Sequence, residues 1–293
     1  MTEDENTVHL LGISGGKDSA ALAVYMRDRV PQMQYFFCDT GEELPETYEY
    51  LAMLETYLGK PIKRLNPDRQ FKHYLAIYSP GGDLDPDTGL PPAPYLPSQR
   101  MRWCTAQLKL KPFEKWVDEE FSGKRIMSYV AIRADEDRDG YISHKTNIQA
   151  IYPFKEAGLG KADVYQILEE RGVGVPRYYE WRTRSGCYFC FFQRKAEWIG
   201  LKERHPDLFE RAKQYEKVIR DPETGEVIKR YSWAQGETLE EMEQPERIIE
   251  IKQRHEKYLE EEKRRNKSTR LLDIFEDALD DEDDTLPCQI CNL

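Results

Sequence analysis

No apolar run in the 293 residues approaches the ~18 that a membrane-spanning helix needs. The first ten residues, MTEDENTVHL, are acidic and lack the basic and apolar segments of a secretory leader. No membrane association and a cytoplasmic location are therefore expected. Internal repeats are absent. A net basic charge is absent too, since the formal charge is −11. Eight of those negative charges sit in DIFEDALDDEDD (Asp273 to Asp284), which leaves −3 for the rest. Global charge thus argues for no nucleic-acid partner, yet it leaves room for a local basic groove. Six cysteines in a cytoplasmic chain point to metal, redox or catalytic roles more than to disulfides.

What is present alternates. TVHLLGI reads as a buried strand, a glycine turn follows, and DSAALAVYMRD has helical spacing. MQYFFC is a second strand and ETYEYLAMLETYLG a helix stopped by Gly59 and Pro61. IKRL, RIMSYVAI and NIQAIYPF are further strands. FKHYLAIY, Thr105 to Phe121 and KADVYQILEERG are further helices. Ser79 to Ser98 holds six prolines and three glycines and reads as a long loop. Strands alternating with helices predict an α/β fold with a doubly wound parallel sheet. Beyond Pro176 two long charged helices are predicted, Gln193 to Arg220 and about Leu239 to Lys267. The expected domains are 1–175 (α/β), 176–270 (a cysteine-containing helical region) and 271–293 (an acidic flexible tail).

The turn after the first strand is SGGKDS, Ser14 to Ser19. It is not the G-x-x-x-x-G-K-[ST] loop that holds a γ-phosphate. It still offers N–H groups from Gly15 and Gly16, hydroxyls from Ser14 and Ser19, and a helix N-terminus, the parts of an anion cradle. The plainer reading is a tight βα turn. With its context, the string resembles the loop of the N-type ATP pyrophosphatases (PP-loop proteins), which cut ATP between the α and β phosphates. FCDTGEELPETYEY, AIRADEDRDGY and the IYPF…GVPRYY segment, in that order, resemble motifs of the phosphoadenosine phosphosulfate reductase-like family within that group. Gly140 stands where the family's final arginine falls, and Arg138 comes two residues early.

The resemblance implies an adenine nucleotide α-hydrolase-like, Rossmann-like fold and places phosphates on Ser14, Gly15, Gly16, Lys17, Asp18 and Ser19. It places Asp39, Thr40 and Gly41 near the nucleotide, and Arg133 and Arg138 on its anionic oxygens. Lys17, Asp18, Asp39 and Arg133 form the expected catalytic set, with Asp18 either helping to hold Mg²⁺ or favouring the helix N-terminus. The bland alternatives are an N-cap for Asp39 and a solvated turn for the two arginines.

Cys187 and Cys190 form a C-x-x-C pair, incomplete as a metal site on its own. The family's iron–sulfur members carry cysteines at the Cys104 region and at such a pair. The resemblance therefore implies a [4Fe–4S] cluster on Cys104, Cys187 and Cys190, with one iron open to sulfide. A four-thiolate Zn²⁺ site that adds Cys288 and Cys291, or no metal at all, stays open. The terminal pair reads either as a mobile dithiol or as an inert end, and Cys38 as a core residue. The E-C-G-[IL]-H ending of the sulfonucleotide reductases is missing, since this chain ends PCQICNL.

The appearance is closest to the sulfur-transfer ATP pyrophosphatases of DNA phosphorothioation. That implies ATP with Mg²⁺ as cofactors, DNA as acceptor, and a cysteine desulfurase and other modification-complex subunits as partners, with a homodimer open. A phosphoadenosine- or adenylyl-sulfate reductase and a non-catalytic nucleotide-sensing subunit of a defence complex are the alternatives. Arg194, Lys195, Lys202 and Arg204 are candidate phosphate contacts or an ordinary solvated face.

Overall fold

The computed structural model describes residues 6–137 and 145–265. They fall into two units. The first holds residues 6–74 and the described parts of 103–187; the second holds residues 75–102 and 188–265.

In the first unit the order is β1 (Thr7–Gly12), α1 (Lys17–Met26), β2 (Gln34–Cys38), α2 (Pro45–Leu58), β3 (Ile62–Leu65) and α3 (Phe71–Tyr78), whose last turn enters the second unit. The short α4 (Trp103–Thr105) runs through a π-helical stretch, Ala106–Leu110, into α5 (Lys111–Glu120). Then come β4 (Arg125–Tyr129), β5 (Ile148–Ile151), α6 (Pro153–Glu156), α7 (Lys161–Glu170) and a 3₁₀ turn, Arg177–Glu180. The five strands form one parallel sheet in the order β3-β2-β1-β4-β5. This is the doubly wound arrangement the alternation predicts.

Strand residues divide by parity between two cores, as a period of two requires. Leu11, Tyr35 and Phe37 pack with Ala20, Leu51 and Val164 from α1, α2 and α7. Val8, Leu10, Phe36 and Cys38 pack with Phe113, Trp116 and Val117 of α5. Phe36 stacks on Phe113 at 4.8 Å. Because both faces are covered, the strands read as near-continuous apolar runs. The chain reverses direction of winding at β1, so the carboxyl ends of β1 and β4 border the crevice where open α/β sheets bind ligands.

The second unit departs from expectation. Residues 79–102 form no helix or strand, in line with their prolines. The helix predicted over Gln193 to Arg220 is instead α8 (Lys195–Arg204), α9 (Pro206–Lys213) and the strand β6 (Lys217–Arg220). Pro206 has no N–H for a continuing helix and opens α9 at its first position. Asp221 accepts the N–H groups of Glu223 and Thr224, which turns β6 into the antiparallel β7 (Val227–Tyr231). α10 (Leu239–Met242) and α11 (Pro245–Arg265) follow. No helix among the described residues is long and apolar enough to cross a membrane.

The core of this unit is aromatic, with Phe189 stacked on Trp233 at 4.9 Å and Trp233 Nε1 donating to the Ala212 carbonyl. Beneath it Glu216 accepts the N–H groups of Trp233 and Leu239, and burial pushes its carboxyl up to about 7. Between pH 4.5 and 7 the folded chain keeps a proton that the unfolded chain has lost, so stability falls as pH rises through that window. The total is roughly 3 kcal/mol, complete above pH 7. Urea unfolding from pH 4 to 8 should show this slope and Glu216→Gln should flatten it; an unchanged slope in the variant would assign it elsewhere.

Candidate functional site

β1 delivers the chain to the crevice. Ile13 N–H still bonds the Phe36 carbonyl, and the glycine turn begins at the next residue. Gly15 sits at φ +77, a region glycine occupies without strain. A Cβ there would also lie 2.5 Å from Thr47 Cγ2. Gly16 caps α1 in an extended conformation. Ser19 Oγ accepts Ser14 N–H at 3.0 Å and donates to the Gly16 carbonyl at 3.2 Å. Ser14 Oγ lies 3.1 Å from Ser19 Oγ. Both hydroxyls are buried, so the loop is braced by its own serines.

Lys17 and Asp18 open α1. Lys17 Nζ bonds Asp18 Oδ2 at 2.9 Å, and Arg133 Nη1 bonds Asp18 Oδ1 at 2.8 Å. Arg133, just past β4, also reaches Asp135 Oδ1 at 2.8 Å and Glu136 Oε1 at 2.7 Å. Burial works against the guanidinium's charge, but Asp18 and the other carboxylates more than offset it and its pKa is raised. Burial alone would raise Asp135; the Arg133 guanidinium and the Lys161 N–H hold it below its usual value. The sheet thus brings Lys17, Asp18 and Arg133 into one charge network at the ends of β1 and β4. Both oxygens of Asp18 are committed to cations within it. Arg138 lies outside the described residues.

The DTG segment follows β2. Asp39 Oδ1 accepts from Gly41 N–H at 2.9 Å and from Tyr48 Oη at 2.8 Å. Asp39 therefore stabilises its own turn and anchors α2. Thr40 Oγ1 donates to Glu43 Oε1 at 3.0 Å and lies 3.3 Å from Cys187 Sγ. Glu43 is buried and its Oε2 has no hydrogen-bond partner among the described residues. Burial pushes its pKa up, against the pull of Lys109 and the Thr40 hydroxyl.

Cys187 Sγ faces Glu43 Oε1 at 3.7 Å. The backbone carbonyls of Gly186 and Cys187 are held by the buried Arg182 at 3.1 and 2.9 Å. Among the described residues no three His, Cys, Asp or Glu side chains gather into a metal-holding group. The [4Fe–4S] cluster expected on Cys104, Cys187 and Cys190 therefore finds no support. The Cys187 thiol is engaged by its own neighbours, 3.3 Å from Thr40 Oγ1 and 3.7 Å from Glu43 Oε1. The zinc alternative needs Cys288 and Cys291, which lie outside the described residues, as does the acidic tail. Cys38 is a core thiol as expected, pushed up to about 12 by burial and donating to the Lys109 carbonyl.

For a polyphosphate the residues fit. Gly15 and Gly16 leave the backbone open to close approach, and α1 presents its N-terminus. Residues outside the expected set also reach this loop. Tyr178 Oη donates to the Gly15 carbonyl at 2.7 Å, and Lys17 N–H donates to Tyr179 Oη at 3.2 Å. Ser185 Oγ lies 3.2 Å from Ser14 Oγ. Their only trace in the sequence is the tandem tyrosine after GVP and the serine ahead of the first C-x-x-C cysteine. In the second unit Lys195 and Lys202 pair with Glu237 and Glu243, and Arg194 bonds Tyr258 Oη. The two lysines are thus ion-paired and the arginine is held by a tyrosine hydroxyl.

Residues 9–125 match the family described as phosphoadenosine phosphosulfate reductase domain. An uncharacterized protein of Methanocaldococcus jannaschii is 25% identical over 223 residues, covering 72% of this chain and 41% of that one. The tRNA-specific 2-thiouridylase MnmA of Shewanella amazonensis is 26% identical over 196 residues, covering 56% of this chain and 48% of that one. The chain thus spans less than half the length of either relative. Among solved structures, a phosphoadenylyl-sulfate (PAPS) reductase from Candida auris in a phosphate complex aligns with a TM-score of 0.44 at 12% identity, covering 64% of this chain and 83% of that one.

Proposed function

The chain belongs to the phosphoadenosine phosphosulfate reductase-like family of PP-loop proteins, and from that premise we propose that it is an ATP pyrophosphatase that adenylates a substrate oxygen for sulfur transfer. The observation that carries the reading is the braced Ser14–Ser19 loop joined to Arg133 through Asp18 at the crevice. The acceptor oxygen attacks the α-phosphorus of ATP, a new P–O bond forms, and the bond to the β-phosphate breaks with pyrophosphate leaving. Loop N–H groups and Lys17 stabilise charge on the departing phosphates. The outer sulfur of a persulfide then displaces AMP from the acceptor, and a second thiol cleaves the resulting S–S bond, releasing the thioated acceptor and leaving a disulfide on the carrier.

Mg²⁺ would neutralise phosphate charge there. Both Asp18 oxygens are taken by Lys17 and Arg133, so Asp18 orients those two cations. We take the acceptor to be a DNA backbone phosphate and the sulfur source a persulfide delivered by a cysteine desulfurase. The likeness to a protein named for tRNA 2-thiouridylation supports the sulfur-inserting class.

The test is pyrophosphate release from ATP with DNA and a persulfide donor present. Ser14→Ala and Asp18→Ala should each lower it by about 100-fold while circular dichroism stays unchanged. Thioredoxin-dependent sulfite release from a sulfonucleotide, with no pyrophosphate from ATP, would replace this reading with a reductase. ATP binding without turnover under all these conditions would replace it with a sensor.

A further inference from the structure

We propose that Tyr179 and Ser185 are phosphate-binding residues, whose hydroxyls form the wall of the polyphosphate site facing the Ser14–Ser19 loop. The ligand class is the phosphate chain of a nucleoside triphosphate and the pyrophosphate released from it. The inference rests on the reading of that loop as an ATP site and names residues it does not include.

The loop by itself is one-sided. Its glycines offer N–H groups along one face, whereas a phosphate presents oxygens in every direction. Lys17 Nζ is turned onto Asp18 and lies 5.3 Å from the Tyr179 ring centroid. Donors for the far side must come from another segment, and one is in place. A Cβ built on Gly16 would meet Ser185 Oγ at 2.7 Å and Tyr179 Oη at 3.2 Å. Both hydroxyls thus stand directly over the glycine that the loop leaves bare.

Tyr179 Oη takes the Lys17 N–H at the first turn of α1, the position an anion oxygen takes at a helix N-terminus. Ser185 Oγ is within reach of Ser14 Oγ, on the other side of Gly16. A hydroxyl both accepts and donates. When a phosphate oxygen takes over the Lys17 N–H, the tyrosine can turn its proton to that oxygen, and the serine likewise. Burial raises the Tyr179 pKa, which keeps that proton on. The neighbouring Tyr178 shows the contrast, since it is fully buried and spends its proton on the Gly15 carbonyl.

The experiment is calorimetric titration of the full chain with inorganic pyrophosphate and with α,β-methylene ATP. Tyr179→Phe keeps the ring and Ser185→Ala the backbone. Each should weaken both probes about tenfold, the worth of one hydrogen bond to a charged group. Tyr178→Phe, which frees the Gly15 carbonyl, should lower the melting temperature. Unchanged or tighter binding in Tyr179→Phe and Ser185→Ala would overturn the proposal, because the hydroxyls would then merely plug the loop. Failure of the wild-type chain to bind either probe would remove the ATP-site reading itself, a result distinguishable from the first.

Discussion

Arg133→Ala is expected to cost about 3 kcal/mol of stability and to reduce pyrophosphate release by about 100-fold. The guanidinium holds Asp18, Asp135 and Glu136 at 2.7–2.8 Å, and its side chain is only 14% exposed. Removing it leaves three carboxylates around one hole, with Lys17 still on Asp18 and the Lys161 N–H still on Asp135. Breaking a shielded pair is costly because the abandoned charges stay desolvated. The low end of the usual range applies, since Asp135 keeps 46% of its side chain in water.

Arg133→Lys separates the two effects. A lysine is a single point charge and cannot span three carboxylates in the planar fork that arginine provides. It should recover about half of the stability and little of the activity, because Asp18 would no longer be held on both oxygens. Urea unfolding and pyrophosphate release are the measurements. An Arg133→Ala protein within about 0.5 kcal/mol of wild type, the range of an ordinary surface change, would show that the network is solvated decoration. Activity within twofold would remove Arg133 from the site.

Much of the first unit is legible in the sequence because its signals are local. A strand of period two, a glycine turn and a helix occupy some twenty consecutive residues, and Gly59 ends α2 at φ +67 with its N–H on the Glu55 carbonyl, as its position predicts. The Ser14–Ser19 loop and the DTG turn are legible for the same reason. What the pattern hides is contact at long range. Lys17 and Tyr179 are 162 residues apart, and Ser14 and Ser185 are 171 apart. No periodicity links them. Glu43 reads as one acid among several in GEELPE, and only burial beneath Thr40 and Cys187 distinguishes it. The β6–β7 hairpin is hidden differently. Its charged alternation, KVIR and VIKRY, is compatible with a helix until the Asp221 turn chemistry is weighed.

Gly16→Ala brings the hidden contact into a measurement. At φ −98 the backbone accepts any residue, so a conformational argument predicts no penalty. The packing argument predicts one. The new Cβ would sit 2.7 Å from Ser185 Oγ and 3.0 Å from Ser185 Cβ. A rotamer change can move the hydroxyl but not the Cβ, so the backbone at Ser185 must shift. Overpacking of this kind costs about 1–3 kcal/mol. The shift of a few tenths of an ångström that this contact demands beside the phosphates should lower turnover by about tenfold.

The second-site variant decides whether this contact is the cause. Gly16→Ala combined with Ser185→Gly removes the two closest contacts, leaving Tyr179 Oη at 3.2 Å, and should regain most of the lost stability, so that the two changes are strongly non-additive. Turnover should stay low, because the Ser185 hydroxyl is gone with its Cβ. Additive losses in the double variant would show that Gly16 is needed for some reason other than the close approach of Ser185.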